Sequence, residues 1–377
     1  MADVARRAGV AASTVSHVVN GTRPVSAVLR QRVLDAIEET GYVPNRVARS
    51  LVTSDTHLIG IVMSALTNRF FVPVVSAIDR VGRRHGYSSV LADSRDRVDS
   101  EVEAVNTLLS RRVDGIVLAP APGDRRQVLD RLVAEEVPTV LIDRWADGRF
   151  DWVGVENVDA TANLVRHLIA LGHTRIGLVS GMRGLSTTEE RVAGYRLALD
   201  EANLAYSPSL VVPGKSSAGP AEQALGALLD RPQPPTAIVS ANNYMTIGVL
   251  QGLRKRGIRV PDDMALVAYD DLDFAELLQP RLTVVAQPVA QIATEAVNLL
   301  IKRIANRDLA GPRQVIRLPG TFVHRESCGC PSGAPLAGSV KPAEGGPSQE
   351  RKARAEAPGR GRGGLAGSDK PTVVGMS

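Results

Sequence analysis

Gly9-Val10-Ala11-Ala12-Ser13-Thr14-Val15-Ser16-His17-Val18-Val19-Asn20-Gly21 is the stretch on which the reading of the whole chain turns. Ahead of it, Asp3-Val4-Ala5-Arg6-Arg7-Ala8 has a short helical pattern with Val4, Ala5 and Ala8 on one face. Gly9 supplies the positive-φ residue that a tight turn between crossed helices needs. From Ser13 the pattern resumes, with Val15, Val18 and Val19 inward and Ser13, Thr14, Ser16, His17 and Asn20 outward, until Gly21 offers a C′ stop. A third amphipathic run, Val28, Leu29, Val33, Leu34 and Ile37, ends at Gly41. This predicts a helix-turn-helix with a supporting third helix. The second helix presents small hydrogen-bonding side chains, the kind that read base edges in a major groove.

An ordinary three-helix packing unit would share that pattern. What separates the two is the sequel, Tyr42-Val43-Pro44-Asn45-Arg46-Val47-Ala48-Arg49-Ser50-Leu51. With it, the chain resembles the DNA-binding headpiece and hinge of the LacI/GalR family of bacterial transcription regulators. The resemblance is carried by Asp3-Val4-Ala5, Ala8-Gly9-Val10, Ser13-Thr14-Val15-Ser16, Val19-Asn20-Gly21 and Gly41-Tyr42, Pro44-Asn45, Ala48 and Leu51.

Bulk properties agree with a soluble regulator. A length of 377 residues allows two or three domains. The net charge of +5 is unevenly placed: residues 1–56 carry seven Arg against five acids, residues 331–377 seven Lys or Arg against four acids, and the middle is balanced. Positive charge therefore sits at the two ends, where phosphate contact depends on placement rather than on the total. The only cysteines, Cys328 and Cys330, form a Cys-x-Cys pair with too few ligands for zinc, so reduced thiols and no metal are expected. With no apolar signal segment and no run of membrane-spanning length, the expected location is the cytoplasm.

From Leu58 onward, apolar runs alternate with amphipathic segments. Strands are expected at Leu58–Met63, Ser89–Ala92, Gly115–Leu118, Thr139–Ile142, Arg175–Val179, Leu210–Val212, Ala237–Ser240 and Met264–Tyr269. Helices are expected at Val74–His85, Val102–Arg112, Val128–Glu135, Ala160–Leu171, Val192–Ala202 and Ile247–Arg256. Continuous apolar strands alternating with helices mean parallel sheets covered on both faces, and so long a region implies two lobes. The fold class is α/β. The resemblance adds that the lobes are of the periplasmic-binding-protein type, joined by three crossovers, here near 144–156, 280–290 and 315–322, with the helix Gln291–Ile304 returning to the first lobe. The expected division is 1–44 headpiece, 45–56 hinge helix and linker, 57–330 two-lobed effector-binding and dimerisation domain, and 331–377 a disordered basic tail. The tail's Gly359-Arg-Gly361-Arg-Gly363-Gly364 matches a dinucleotide fingerprint in form only, because neither strand nor helix flanks it.

The resemblance makes Ser13, Thr14 and His17 base readers, with Ser16 and Asn20 as phosphate contacts. Asn45, Arg46, Ala48 and Leu51 would act in the hinge, with Leu51 as an apolar wedge in the minor groove; the cost of unstacking is repaid only when a dimer docks on a pseudo-palindrome. His17 departs from the family's usual Arg, losing a bidentate grip on guanine. Ala11 stands where the family has a capping Ser, a loss of about 1 kcal/mol. Helix 1 begins almost at Met1, whereas the family places a capping Thr and several residues before it, so either the natural start lies a few codons upstream or the headpiece is weakened.

For the effector, the resemblance points to Phe70, Phe71, Arg191, Asn242 and Asp270, with Asp159 and Gln287 as weaker candidates. Aromatic faces suit a sugar ring or a base, and a guanidinium, amide and carboxylate at strand ends suit hydroxyls. Here Asn242-Asn243 replaces the family's Asn-Asp, Glu156-Asn157 its Asp-Asn, and Arg69 its Pro. The expectation is a homodimeric repressor of double-stranded operator DNA, without catalysis or cofactor, controlled by a small molecule: a sugar, or alternatively a nucleoside or purine. The rival is an α/β sugar-binding protein or enzyme with an incidental helical N-terminus. Against it, the chain has no P-loop, no H-E-x-x-H and no G-x-S-x-G.

Overall fold

The computed structural model describes residues 1–20, 23–42, 55–64, 66–306 and 311–330. Gly21, the hinge candidates Asn45, Arg46, Ala48 and Leu51, and the tail 331–377 lie outside the described residues.

Three helices open the chain: α1 (Ala2–Ala8), α2 (Ala12–Asn20) and α3 (Ala27–Thr40). Gly9 is left-handed, φ 63°, and closes α1. Arg32 of α3 donates to the Ala8 carbonyl at 2.5 Å, so the third helix caps the first. Helix α2 starts on the Ala11 carbonyl, which accepts from Thr14 N at 2.9 Å. Ser26 caps α3 and left-handed Gly41 ends it. The small core is Val4, Ala5, Ala8, Val15, Val33 and Ala36, with Val18, Val19 and Ile37 packed against it. Two residues expected inside are not: Val28 is 74% and Leu34 42% exposed, because α3 turns Val33 and Ala36 inward instead.

The first lobe holds a six-stranded sheet in the order β2-β1-β3-β4-β5-β11. Its strands are β1 (Leu58–Met63), β2 (Ser88–Asp93), β3 (Gly115–Leu118), β4 (Thr139–Ile142), β5 (Asp151–Val155) and β11 (Val315–Leu318), all parallel. Helices α4 (Phe71–Arg84), α5 (Val98–Ser110), α6 (Arg126–Ala134) and α11 (Val289–Asn306) cover it. Alternate residues feed opposite faces: Ile59, Ile61 and Met63 pack with α4 and α11, while Val62, Ile116 and Leu118 pack with α5 and α6. That is the burial a parallel sheet requires. The returning helix α11 is locked by a buried ion pair, Arg303 forking onto Asp151 at 2.7 and 2.9 Å, and the same carboxylate accepts from Gln314 N at 2.7 Å. Buried charges of this kind are tolerated only when fully paired.

The second lobe repeats the scheme in the order β7-β6-β8-β9-β10-β12. Its strands are β6 (Ile176–Ser180), β7 (Val211–Pro213), β8 (Ala237–Ser240), β9 (Ala265–Tyr269), β10 (Thr283–Ala286) and an antiparallel edge, β12 (Thr321–Val323). Helices α7 (Val158–Ala170), α8 (Ser186–Glu201), α9 (Ala218–Leu229) and α10 (Asn243–Lys255) flank it. They approach closely in pairs. A Cβ on Gly194 of α8 would meet the Val158 carbonyl at 2.1 Å, and one on Gly248 of α10 the Ala218 carbonyl at 1.9 Å.

The chain passes between lobes after β5, after β10 and between β11 and β12, within the three stretches expected. Those stretches, where the sequence predicts connections, also contain β5, β10, β11 and most of β12. They are short; Arg317 interrupts the apolar signal of β11, and β5 and β10 open on the polar Asp151 and Thr283. Helix α9 was missed too, because Gly219, Pro220 and Gly226 obscure its period.

Candidate functional site

The recognition face of α2 shows Ser13 exposed and Thr14, Ser16 and His17 half-buried, opposite the wholly buried Val15. The face is short and polar, and hydroxyl and imidazole groups are of the kind that hydrogen-bond base edges and phosphates.

The second site lies where the two sheets present their strand carboxyl ends to one another, the place where open α/β sheets bind ligands. A cavity of about 220 Å³ opens there. From the first lobe it is lined by Phe70 and Phe71 at the start of α4, Asp96 after β2, and Asp143 and Arg144 after β4. From the second lobe come Arg191 of α8, Lys215 after β7, Asn242 after β8 and Asp270 after β9, with Gln287 at a crossover. Six of the seven expected effector residues therefore meet at one cavity. Asp159 does not. It sits in the first turn of α7 with a 70% exposed side chain, 3.9 Å from Arg166.

Arg191 is held on three sides. Its Nε donates to Asn157 Oδ1 at 2.9 Å and its Nη1 to the Ala241 carbonyl at 2.6 Å, and the guanidinium lies 3.7 Å over the Tyr269 ring. Asn157 is itself fixed by donating to Glu190 and to the Val155 carbonyl. Asp270 accepts from Gln287 Nε2 at 2.6 Å and from Asn243 N at 3.3 Å. Asn242 caps α10, its Oδ1 accepting from Met245 N at 2.7 Å, so its amide nitrogen is the group it can offer a ligand. Glu156 caps α7 by accepting from the backbone of Val158 and Asp159.

Asp96, Asp143 and Arg144 were not singled out from the sequence. The signal existed, since Asp143-Arg144 directly follows the strand Thr139–Ile142, where ligand-facing loops begin. Arg144 is 5% exposed; its Nη1 donates to Asp96 Oδ1 at 2.6 Å, to the Pro120 carbonyl at 3.0 Å, and to Ser64 Oγ. Burial raises the Asp143 carboxyl, and Asp270 and Asp96 raise it further, against the pull of Arg144 and Arg191. Asp96, Asp143, Lys215, Ser216 and Asp270 all hold positive φ, from 51° to 71°. Left-handed non-glycine residues gathered on one cavity mark a site whose geometry the surroundings enforce.

Phe71 is 1% exposed and edge-on to Phe70 at 5.2 Å, so it is chiefly core, while Phe70 forms more of the wall. Both belong to the start of α4, three residues ahead of the expected helix. Asn68 secures that start, its side chain accepting from Phe70 N at 3.0 Å. Contacts also bridge the lobes around the cavity: Trp145 N donates to Ser186 Oγ at 2.8 Å, and Arg317 pairs with Glu190 at 2.9 Å.

Residues 1–45 match the family of bacterial regulatory proteins, lacI family, and residues 165–328 the periplasmic binding protein-like domain. The chain is 35% identical over 317 residues to the ribose operon repressor of Escherichia coli (strain K12), covering 83% of this chain and 95% of that protein. It is 33% identical over 310 residues to the HTH-type transcriptional repressor PurR of Vibrio campbellii, covering 81% and 92%. Among solved structures, the lac repressor dimer bound to operator and the anti-inducer ONPF matches with a TM-score of 0.77 and 30% identity, over 86% of this chain and 98% of that one.

Proposed function

The chain belongs to the LacI family of bacterial regulatory proteins, DNA-binding transcriptional repressors rather than enzymes, and from that premise we propose that it is a cytoplasmic homodimer whose grip on a pseudo-palindromic operator is set by a neutral sugar in the interlobe cavity.

The observation that carries the effector assignment is the charge balance of the cavity wall. Asp96, Asp143 and Asp270 face Arg144, Arg191 and Lys215, three carboxylates against three cations. A wall with equal numbers of acidic and basic side chains, rich in both donors and acceptors, favours a neutral polyol over a phosphorylated or carboxylated ligand. At about 220 Å³ the cavity falls below the roughly 300–1,000 Å³ usual for ligand clefts, which favours a single sugar ring over a nucleoside.

The mechanism follows from where the groups sit. A ligand held by Asp143 and Arg144 on one side and Arg191, Asn242 and Asp270 on the other adds attraction between the lobes. It joins the Trp145–Ser186 and Arg317–Glu190 links and so favours the closed arrangement. It can shift DNA affinity only as far as it binds the two arrangements unequally. The polar face of α2 supplies base contacts, and we assign base reading to Ser13, Thr14 and His17, and phosphate contact to Ser16 and Asn20. We place the headpiece at 1–44, the hinge at 45–56 and the effector domain at 57–330.

A thermal-shift screen of monosaccharides, disaccharides, nucleosides and purine bases tests the effector class. A monosaccharide that raises the melting temperature of the full chain, with the rise lost in Asp270→Ala, is the expected result. A shift given by a purine or nucleoside alone would overturn the sugar assignment.

A further inference from the structure

We propose that His167, His324, Cys328 and Cys330 form a Cys2His2 zinc site that fastens the end of the second lobe's C-terminal segment to helix α7. The cysteine spacing by itself counts only two ligands. The fold supplies the other two, one from four residues upstream and one from a helix more than 150 residues away.

The geometry is that of a closed four-ligand set. One donor atom from each of the four side chains lies within 4.8 Å of all the others. Cys328 Sγ is 3.4 Å from His324 Nε2, and Cys330 Sγ is 3.4 Å from His167 Nε2. Zinc binds sulfur at about 2.3 Å and imidazole nitrogen at about 2.0 Å, so a tetrahedron around it has donor–donor edges of about 3.3–3.8 Å. The two sulfur–nitrogen pairs already have that length, and side-chain rotation alone can draw the four donors together.

The site is also prepared by its surroundings. Arg325 forks onto Asp271 at 2.8 and 2.9 Å, and Ser327 Oγ donates to the Leu266 carbonyl at 2.6 Å, so the ligand-bearing loop is fixed without metal. His167 lies in the last turn of α7, where the helix dipole favours a cation. Zinc takes cysteine as thiolate, so binding releases the thiol protons and affinity rises with pH. A Cys2His2 set with no free position is the pattern of structural zinc rather than of a catalytic centre. Nothing in this assignment depends on the effector's identity.

The full-length protein, reduced and stripped of metal by a chelator, is titrated with Co(II). One equivalent should give the visible absorption of tetrahedral, thiolate-bound cobalt, bleached by one equivalent of Zn(II). Cys330→Ser and His167→Gln should each weaken Zn(II) binding by more than the roughly 10–100-fold that loss of a supporting residue costs, while the exposed His85→Gln leaves it unchanged. Folded wild-type protein that gives no such cobalt spectrum overturns the site and leaves two S–H···N hydrogen bonds in its place. So does zinc affinity indifferent to both ligand substitutions. Because the cobalt spectrum is read on the unaltered chain, the result stands whether or not either variant folds.

Discussion

The guanidinium of Arg191 lies 3.7 Å above the ring of Tyr269. With Nη1 on the Ala241 carbonyl and Nε on Asn157, the fork cannot turn away from the cavity. Among the described residues its Nη2 has no hydrogen-bond partner, which leaves a pre-oriented donor for a ligand oxygen. A lysine keeps the charge but loses the plane, the stack and the fork.

Arg191→Lys is therefore expected to leave the fold intact and to weaken the effector. Hydrogen bonds to a charged group contribute about 1.5–3 kcal/mol, so affinity should fall by roughly 10- to 150-fold. Calorimetric titration with the sugar found by the screen measures it. An unchanged dissociation constant would remove Arg191 from the site.

His17 lies half-buried on the polar face of α2. His17→Arg is expected to move operator preference toward guanine at one base pair in each half-site, by about 1–3 kcal/mol of discrimination. Selection of wild type and variant on one randomised operator library reads this directly. Identical preferences would mean that residue 17 does not touch a base.

How much of this was legible in the sequence depended on distance along the chain. Strands Leu58–Met63, Gly115–Leu118, Thr139–Ile142 and Ala237–Ser240 appear with the bounds expected, because a strand buried on both faces is an unbroken apolar run. Val315–Leu318 carries no such signal, because Val315 and Arg317 of this edge strand are exposed, while Thr283–Ala286 is apolar but lies within a stretch expected as a crossover. The same holds for side chains. Arg191, Asn242 and Asp270 could be placed from their local motifs, and Asp143-Arg144 could have been, from the strand before them. That Asp159 would not line the cavity, or that His167 would reach Cys330, depends on how helix α7 packs and is written in no local pattern.

Glu101 is wholly buried, with one oxygen accepting from Ala121 N and the other unpartnered among the described residues. Burial lifts its carboxyl from 4.5 to about 7. The folded state thus holds this proton more tightly than the unfolded chain. The contribution is fully present below pH 4.5 and is lost as pH climbs through about 7. Its full size is on the order of 3 kcal/mol at about 1.4 kcal/mol per pH unit. Urea unfolding of wild type and Glu101→Gln across pH 5 to 8 should show the glutamine variant gaining relative stability as pH rises; a difference independent of pH would refute the assignment.

Gly248 lets α10 pass against the start of α9, where a Cβ would come 1.9 Å from the Ala218 carbonyl. Backbone cannot rotate out of the way as a side chain can. Gly248→Ala is expected to destabilise the second lobe by roughly 1–3 kcal/mol, the usual cost of overpacking, despite alanine's better helix propensity. Thermal unfolding monitored by circular dichroism checks it, and a stabilised variant would contradict the close crossing.

Regulation as proposed requires one coupling, between groove reading at α2 and sugar capture between the lobes. Fluorescence anisotropy of the full-length protein on duplex fragments from upstream of its own gene, with and without the sugar that binds the cavity, tests it most directly. The expected result is one pseudo-palindromic fragment bound at about 10⁻⁸ M or tighter at physiological salt, with an affinity that falls steeply as salt rises and changes when the sugar is added. Failure to bind any fragment even at low salt, or binding that the sugar leaves unaltered, would contradict it.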